Sequence, residues 1–329
     1  MRILVAGGAG YVGSALVPKL LERGYEVDVV DLLWFGNQLP SRVAVLARDV
    51  MDVDQAKLAG YDQVIFLAGL SSDPMADYSP SLNFVYNAAA PAYLAYCAKK
   101  AGVKRFIYAS SCSVYGYAMN ELCDEESPAS SSYPYGIAKL QGESACMSLQ
   151  DQGFSVISLR KGTICGHSPR MRFDLVVNTM FKTATVDGRI IVDNPSIWRP
   201  ILAMQDAVAA YVRAVEASYE VSGVFNVASG NYTVGEIADC VKETLDERMG
   251  TDLRLEIRNV TDFQNYKVSC DKAIRSLSFK PQHDVAFIVG DLYAHRASYP
   301  DFSDPRYYNI QVFKSLDRIE RRSLVGSGT

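Results

Sequence analysis

The chain has 329 residues, of which 49% are hydrophobic and 21% are charged, and its formal net charge is -4 at pH 7. That length suits one large α/β unit or two closely joined lobes of an ordinary soluble globule. The weak negative charge, without a long cationic run, argues against nucleic acid or an anionic membrane as a partner, and no apolar run is long enough to cross a bilayer.

Strand-like and helix-like segments alternate from residue 1 to about residue 164. The predicted strands cover 3–6, 26–31, 42–47, 63–68, 105–110 and 156–160. Because such alternation requires crossover connections, it predicts an α/β fold with a doubly wound parallel sheet covered on both faces. Ligands bind at the carboxyl ends of the strands in such a sheet. The first apolar run breaks into glycines after Ala6, so we interpret it as a strand and not as a signal peptide.

The alternation ends after Arg160. We predict helices over 201–217 and 234–249 and a strand over 224–228, with Thr233 as the N-cap of the second helix and Glu236 three residues on. These assignments predict a main domain over 1–164, to which the segment 198–229 returns. They also predict a smaller lobe over 165–197 and 230–312, and a surface helix with a flexible tail over 313–329.

A glycine turn follows the first predicted strand and opens a helix. Gly7, Gly10 and Gly13 have the spacing G-x-x-G-x-x-G, which brings free backbone N–H groups at a helix N-terminus towards an anion. Plain packing at a strand-to-helix corner is the alternative. The second strand ends in Asp31, about 20 residues past the last two glycines, where a carboxylate holds the ribose hydroxyls of a dinucleotide. A carboxylate repels a 2′-phosphate, so the pattern favours NAD over NADP.

Tyr135 and Lys139 lie four residues apart, hence on one face of a predicted helix. An ammonium beside the phenol, with an oxidised nicotinamide above it, is expected to lower the pKa of Tyr135 and make it a usable acid/base. The hydroxyl of Ser111, at a strand end beside this helix, can hydrogen-bond the same reacting oxygen. Each feature alone is also common on ordinary protein surfaces.

Two helices rich in small residues, predicted over 79–102 and 135–152, are candidates for a homodimer interface. Burial against the sheet explains most of the same pattern.

The seven cysteines are scattered, odd in number and without C-x-x-C spacing, which is typical of reduced thiols in a cytoplasmic protein. The three histidines, His167, His283 and His295, lie far apart in the chain, so we predict no metal site.

The ordered set of motifs resembles the extended short-chain dehydrogenase/reductase family, and within it the UDP-glucose 4-epimerase-like members of the NAD-dependent sugar-nucleotide epimerase/dehydratase group. The resemblance covers about residues 1–285. It rests on Gly7, Gly10, Gly13, Asp31, Asp49, Leu67-Ala68-Gly69, Asn87, Ser110-Ser111 before Val114-Tyr115-Gly116, Pro134-Tyr135 and Lys139.

The resemblance implies a Rossmann-type dinucleotide-binding domain with a smaller C-terminal substrate-binding lobe, NAD as the cofactor and a nucleoside-diphosphate sugar as the substrate. The implied NAD-binding residues are Gly7, Gly10, Tyr11, Val12, Gly13, Asp31, Asp49, Val50, Leu67, Ala68, Gly69, Asn87, Ser110, Tyr135 and Lys139. The implied catalytic residues are Tyr135, Lys139 and Ser111. The implied substrate-binding residues are Ser111, Cys112, Tyr135, Thr163, Asp174, Leu175 and Arg199, of which Arg199 would grip the diphosphate.

The reaction predicted from this set is epimerisation through a transient 4-keto sugar. A 4-oxidase or 4-ketoreductase that uses the same site is an alternative, and a non-catalytic NAD-sensing module is a second one. The family's 4,6-dehydratases place Asp-Glu directly after the catalytic hydroxyl residue. This chain has Cys112-Ser113 there, which disfavours a 4,6-dehydratase, although Cys112 beside Ser111 can also be interpreted as a proton donor for a 3- or 5-epimerisation or as a small buried filler.

Overall fold

The computed structural model describes residues 1–260 and 264–326. The strands are β1 (Arg2–Ala6), β2 (Glu26–Asp31), β3 (Ala44–Ala47), β4 (Gln63–Phe66), β5 (Arg105–Ser111), β6 (Tyr117–Cys123), β7 (Ser155–Lys161), β8 (Thr163–Cys165), β9 (Arg189–Asp193), β10 (Trp198–Ala203), β11 (Gly223–Val227), β12 (Gly230–Thr233), β13 (Arg254–Arg258) and β14 (Asn265–Val268). The helices are α1 (Gly13–Glu22), α2 (Gln55–Leu58), α3 (Asp73–Tyr78), α4 (Pro80–Phe84), α5 (Ala90–Lys100), α6 (Pro134–Met147), α7 (Val176–Asp187), α8 (Met204–Glu216), α9 (Val234–Met249), α10 (Asp271–Leu277), α11 (Val285–Ala294) and α12 (Asn309–Gly326).

Seven strands of the described chain form one sheet in the order β11-β7-β5-β4-β1-β2-β3. Every neighbouring pair in this sheet runs parallel. The direction of winding reverses between β1 and β4, and this reversal opens a crevice at the carboxyl ends of the strands. The α/β fold with a doubly wound parallel sheet, predicted from the alternation of elements, is therefore confirmed.

The side chains of β1 alternate between two hydrophobic cores. Ile3 and Val5 pack into the core that contains residues of α1 and α8, whereas Leu4 and Ala6 pack into the core that contains residues of α5. A strand with both faces buried has no polar face, which explains its continuous apolar sequence. The glycine turn that follows is thus held rigidly by the centre of the sheet.

The remaining strands form smaller sheets beside the main one. They pair as β12-β10-β8, β13-β9 and β14-β6. Within the segment 198–229, β11 lies at the edge of the main sheet, but β10 pairs outside it. The division of the chain into domains stays a prediction.

The helix predicted over 201–217 is wrong at its start, because Ile201–Ala203 belong to β10 and α8 begins at Met204. Ile201 pairs with Thr163 on one side and with Gly230 on the other. Strand pairing on both edges gives the backbone N–H and C=O groups of this segment hydrogen-bond partners. This pairing outweighs the tendency of the apolar run to form a helix.

The long helix predicted over 79–102 is present as α4, a π-helical turn at Val85–Ala89 and α5. Pro91 has no N–H to donate to the carbonyl of Asn87 four residues earlier, and the Tyr108 hydroxyl donates to this carbonyl instead at 2.8 Å. This bond ties the helix to the centre of the sheet.

Two other predicted helices can be compared with the structure. The helix over 234–249 is confirmed as α9, with the reciprocal cap between Thr233 and Glu236. The C-terminal helix begins at Asn309, four residues before the predicted start, and residues 327–329 of the predicted tail lie outside the described residues. None of the helices in the described part of the chain combines the length and the apolar character needed to cross a bilayer.

Candidate active site

One cleft, of about 440 Å³, lies at the carboxyl ends of the main-sheet strands. A cavity of this size is in the range of ligand-binding sites. The sequence-predicted residues that line it are Gly7, Gly10, Tyr11, Val12, Gly13, Asp31, Asp49, Val50, Leu67, Ala68, Gly69, Ser110, Ser111, Tyr135, Lys139, Thr163, Asp174 and Leu175. The fold thus brings together residues from distant parts of the chain that were predicted to share one site.

The glycine turn has the geometry that a diphosphate requires. Gly7 has a φ of 79°, and a Cβ there would lie 2.5 Å from the backbone nitrogen of Ala68, so both conformation and space demand glycine. A Cβ on Gly13 would overlap the backbone of Gly8. The lack of a side chain at Gly13 therefore permits the close approach of α1 to the turn. The N–H groups of Ser14, Ala15 and Leu16 donate to the carbonyls of Gly10 and Val12. Those of Tyr11, Val12 and Gly13 have no acceptor among the described residues, so they are the ones available to an anion.

Asp31 closes the turn from the end of β2. Its carboxylate accepts hydrogen bonds from the backbone N–H of Ala9 at 3.0 Å and of Leu33 at 2.8 Å. Burial raises the pKa of Asp31, and the two N–H groups act in the opposite direction. A carboxylate fixed in this way at the cleft retains lone pairs that can accept from ribose hydroxyls.

Asp49 shapes the next part of the wall. One carboxylate oxygen accepts from the backbone N–H of Met51 at 2.9 Å, and the other accepts from the Tyr86 hydroxyl at 2.6 Å. The first bond caps a short 3₁₀ turn that begins at Val50. Asp49 therefore fixes the backbone of this wall.

Ser111 and Tyr135 both line the cleft, and the Ser111 hydroxyl acts to lower the pKa of the Tyr135 phenol, as a donor to the phenol oxygen does. The oxygen of Ser111 accepts from the Ser113 hydroxyl at 2.8 Å and from the Ser113 N–H at 3.2 Å. A serine oxygen has two lone pairs and one proton, so the proton of Ser111 is left to donate to the phenol oxygen. Ser113, which sequence reasoning did not assign to the site, thus orients Ser111 towards Tyr135.

Lys139 lies beneath this pair and is only 4% exposed. Its ammonium donates to the carbonyl of Ala109 at 3.0 Å and lies 5.8 Å from the centre of the Tyr135 ring. Burial holds the pKa of Lys139 well below its usual range, and the ammonium of Lys161 adds to this effect. An ammonium has three donors, so two remain for a ligand.

The lowered pKa of Tyr135 is expected for the complex with an oxidised nicotinamide and stays a prediction, because in the chain alone the pKa of Tyr135 is raised. Burial raises the pKa of Tyr135 to about 12, and the Asp73 carboxylate adds to the rise, while Ser111 and Arg172 oppose it. Lys139 is held by a carbonyl beneath the ring rather than at the phenol oxygen. The sequence could not show this, because the pKa depends on burial and on Asp73 and Arg172 from other elements.

Lys161 lines the cleft but was not predicted as a site residue. It is the register partner of Ser111 on the neighbouring strand β7, so both side chains point to the same face, and both line the cleft. Burial lowers the pKa of Lys161 to about 8. The cleft therefore has a second lysine, on the strand next to Ser111.

Asp174 was predicted to bind substrate, and it holds Arg172. Its two oxygens accept from the guanidinium of Arg172 at 2.8 Å and 3.1 Å. Burial works to raise the pKa of Asp174, but Arg172 outweighs burial and holds this pKa below its usual range. Arg170 and Arg172 both line the cleft, and apart from their charge nothing in the sequence pattern marked them as site residues.

Three predicted site residues do not line the cleft. Asn87 is fully buried, and its amide nitrogen donates to the carbonyl of Leu70 and to Asn83, so it supports the loop at Gly69 from behind. Cys112 is also fully buried, and its thiol donates to the carbonyl of Arg160. Burial keeps the pKa of this thiol well above its ordinary value. Because Cys112 does not reach the cleft, its position favours the interpretation as a buried filler over a proton donor to the substrate.

Arg199 is the third residue that does not line the cleft, and its contact with the diphosphate stays a prediction. One nitrogen of its guanidinium donates to the backbone carbonyls of Trp198 and Gln264. Asp206, seven residues on, binds the backbone N–H groups of Gln282 and His283 and so fixes a loop. The cations at the cleft are supplied by other residues.

Two polar atoms at the cleft are buried without a partner in the described chain. They are the hydroxyl oxygen of Ser110 and Nε of Arg170, and both residues line the cleft. Buried polar groups are nearly always hydrogen-bonded, so orphans of this kind fit a site completed by a ligand. Together with the glycine turn and Asp31, they fit a dinucleotide.

The histidines give no sign of a metal site. His167 and His295 stack with their ring centres 3.8 Å apart, although they are distant in sequence. Among the described residues, no group of three or more His, Cys, Asp or Glu side chains is arranged to hold a metal ion.

A glycine turn, a carboxylate at the end of the second strand and a Ser-Tyr-Lys set at one switch-point cleft are the features of a dinucleotide-dependent enzyme of the short-chain dehydrogenase type. The model of the NAD-dependent epimerase/dehydratase family matches residues 3–228, and the chain belongs to this family. The family is NAD-dependent, so NAD is the cofactor of this chain.

The individual relatives have low sequence identity to this chain. The chain is 34% identical to UDP-glucose 4-epimerase 4 of Oryza sativa subsp. japonica over 185 residues, which is 51% of this chain and 50% of the relative. It is 25% identical to UDP-glucose 4-epimerase of Corynebacterium glutamicum over 324 residues, which covers 92% of this chain and 98% of the relative. The alignment thus spans about half of the rice enzyme and nearly all of the bacterial one.

Solved structures share the fold. The UDP-glucose 4-epimerase of Thermotoga maritima, solved with UDP-glucose, matches with a TM-score of 0.80 at 24% identity, covering 91% of this chain and 99% of that one. The UDP-glucuronic acid 4-epimerase of Bacillus cereus, solved with UDP-glucuronic acid and NAD, matches with a TM-score of 0.78 at 22% identity, covering 91% and 99%. At this identity, the likeness is one of fold.

Proposed function

We propose that the protein is an NAD-dependent 4-epimerase of nucleoside-diphosphate sugars, with a uridine diphosphate sugar as the substrate class. The observation that carries the proposal is the placement of Ser111, Tyr135 and the buried Lys139 in the same cleft as the glycine turn, with the Lys139 ammonium 5.8 Å from the centre of the Tyr135 ring. Relatives that match over most of their length are named UDP-glucose 4-epimerases, which supports the choice of reaction.

NAD, when bound, supplies a reversible hydride acceptor. The phenol oxygen of Tyr135 takes the proton of the sugar C4 hydroxyl as the C4 hydrogen departs, which leaves a 4-keto sugar. Ser111 donates its hydroxyl proton to the phenol oxygen and stabilises the phenolate form. Tyr135 returns its proton to the C4 oxygen when hydrogen is restored on the opposite face. Lys139 has two free donors for the neighbouring ribose.

The cleft must lower the pKa of Tyr135 from about 12 before this chemistry proceeds at neutral pH. Arg172 contributes in that direction, and the positive charge of an oxidised nicotinamide acts in the same sense. The proton transfer is therefore expected only in the complex with the cofactor. The ligand-free enzyme keeps Tyr135 as a neutral phenol.

Substrate contacts are proposed for residues that line the same cleft as Ser111, Tyr135 and Lys139. Thr163 and Leu175 keep the roles predicted for them, since both line the cleft. Lys161, Gln264 and Tyr266 also line it and were not predicted. The substitution of Cys112-Ser113 for Asp-Glu continues to disfavour a 4,6-dehydratase.

The test is to replace Tyr135 by Phe and measure epimerisation of UDP-glucose and UDP-galactose from both directions. We expect turnover to fall by about 10²–10⁴-fold, with NAD still bound, because the phenol proton is lost and little else changes. Full activity of Tyr135→Phe would contradict the proposed mechanism. The exposed Tyr117→Phe exchange removes the same hydroxyl outside the cleft and is the matched control.

The same assay separates the alternatives. An epimerase reaches one product ratio from either sugar without net reduced nicotinamide. A 4-oxidase accumulates reduced nicotinamide or requires an external acceptor, and a 4-ketoreductase consumes it. An NAD-sensing module would convert none of these sugars. The complete Ser-Tyr-Lys set argues against such a module, because a sensor needs no acid/base residue.

We also propose that the protein forms a homodimer and acts in the cytoplasm. The helix pair α4–α5 exposes Phe84, Val85 and Tyr96. An apolar face on a helix predicted to lie at the interface supports a symmetric contact.

A further inference from the structure

Arg170 is a buried cation for which the chain provides no anionic partner. The residue is 4% exposed, and its guanidinium stacks 3.6 Å from the centre of the Phe35 ring. Within the described residues it donates one side-chain hydrogen bond, from Nη2 to the Asn309 amide oxygen at 2.5 Å, and no carboxylate lies within ion-pair distance. Its Nε is buried and has no partner.

This arrangement is costly in the protein alone. A buried charge is normally paired, because desolvation without a partner destabilises the charged form. Burial lowers the pKa of Arg170 to about 9, with Arg172 adding to the effect, while Asp174 and Asp31 oppose it only from longer range. The position is therefore suited to an anion that arrives with a ligand.

The location identifies the ligand. The backbone N–H of Arg170 donates to the Ser14 hydroxyl at 3.2 Å, and the Ser168 hydroxyl donates to the carbonyl of Tyr11 at 2.6 Å. The segment 168–170 is thus fixed against the first turn of α1, directly after the glycine turn. Arg170 and Gly10 line the same cleft. The anion nearest to a glycine turn of this kind is the diphosphate of a dinucleotide.

We propose that Arg170 binds the diphosphate of NAD and supplies the positive charge that the backbone N–H groups of α1 alone do not. The inference rests on the dinucleotide site described above and adds a residue that the family motifs did not mark. A guanidinium with a free Nε suits a phosphate oxygen, since its donors lie in one plane. The diphosphate of the sugar nucleotide has the same chemistry and is distinguished by experiment.

Asn309 is proposed as the positioning residue for Arg170. Its amide nitrogen donates to the Ser71 hydroxyl at 2.6 Å while its amide oxygen accepts from Arg170. Asn309 is the first residue of α12, and Phe313 on this helix packs against Trp34 beside the cleft. The C-terminal helix therefore sets the orientation of the guanidinium, and its docking is coupled to dinucleotide binding.

The experiment compares ligand-free wild type with Arg170→Met by calorimetric titration with NAD, ADP-ribose, adenosine and UDP. We expect the Kd values for NAD and ADP-ribose to rise by about 10- to 100-fold, as for the loss of a hydrogen bond to a charged group, with adenosine and UDP unchanged. Arg306→Met, which removes an exposed arginine paired with Asp304, is the matched control and should leave all four unchanged.

Thermal melting supplies a second readout. Ligand-free Arg170→Met should melt no lower than wild type, because it removes a buried unpaired charge, whereas the increase in Tm on adding NAD should shrink. Asn309→Asp should give the same pattern with the arginine retained, since a carboxylate there would pair with Arg170 and compete with the diphosphate.

Unchanged NAD affinity in Arg170→Met would overturn the inference. So would weaker UDP binding in place of weaker NAD binding, which would assign Arg170 to the sugar nucleotide. A lower Tm for the ligand-free variant would make the residue structural and would overturn the inference as well. Failure of wild type to bind NAD would instead refute the proposed function itself.

Discussion

Replacing Ser111 by Ala tests how the site controls the proton of Tyr135. Both lone pairs of the Ser111 oxygen accept from Ser113, at 2.8 Å and 3.2 Å, so the hydroxyl proton is directed to the phenol. A hydrogen bond to a charged group contributes about 1.5–3 kcal/mol. Its loss from the phenolate form should lower kcat by about 10- to 150-fold.

The pH dependence gives the sign of the effect. Losing a donor to the phenolate raises the pKa of Tyr135, by about 1–2 units for the energy above. Tyr135 accepts a proton in the first half of the reaction, so it must be deprotonated. The acidic limb of the pH profile of kcat in Ser111→Ala should therefore move to higher pH, and part of the lost rate should return on the alkaline side.

The assay is the initial rate of UDP-galactose conversion over a series of pH values, with enzyme saturated in NAD. Ser113→Ala should have a smaller effect in the same direction, since the N–H of residue 113 still donates to Ser111. Ser144→Ala, at an exposed position of α6, serves as the control. The reasoning is refuted if Ser111→Ala keeps both its rate and its acidic limb, or if Ser113→Ala is the more damaging change.

Two further predictions concern stability and assembly. Glu143→Gln should lower the free energy of unfolding by about 3–5 kcal/mol, because the buried Arg160 guanidinium, 2.6 Å from Glu143, would lose its carboxylate. In urea melts, Glu256→Gln, which breaks the exposed pair with Arg189, should cost less than about 1 kcal/mol, and equal losses would contradict the role of burial. Tyr96→Glu should convert a dimer into a monomer in light scattering, and a wild-type mass of one chain would refute the proposed homodimer.

The sequence predicts those parts of the site that depend on local spacing. Three features are local in the sequence: the glycine turn, Asp31 at the end of the second strand, and the four-residue spacing of Tyr135 and Lys139. Each lies within one strand, turn or helix, so the fold only has to bring these elements together. Alternation of strands and helices does this, because parallel strands end at the same edge.

The parts that the sequence could not predict depend on long-range packing. Arg170 meets Asn309 only because α12 returns across the cleft, and no spacing in the sequence links the two. Cys112 and Ser113 are adjacent, and a 3₁₀ turn after β5 decides that Ser113 lines the cleft and Cys112 does not. The direction of Arg199 is likewise set by the carbonyl of Gln264, 65 residues away.

The path of the chain limits how a protein of this kind can be divided and recombined. The chain leaves the seven-stranded sheet after β7, re-enters it with β11 and leaves again with β12. A single crossover between two genes therefore cannot transplant the smaller sheets as an intact cassette, because their strands lie on both sides of β11. In such a scaffold, exchange of individual side chains along the cleft is a simpler route to a changed ligand preference than exchange of a whole segment.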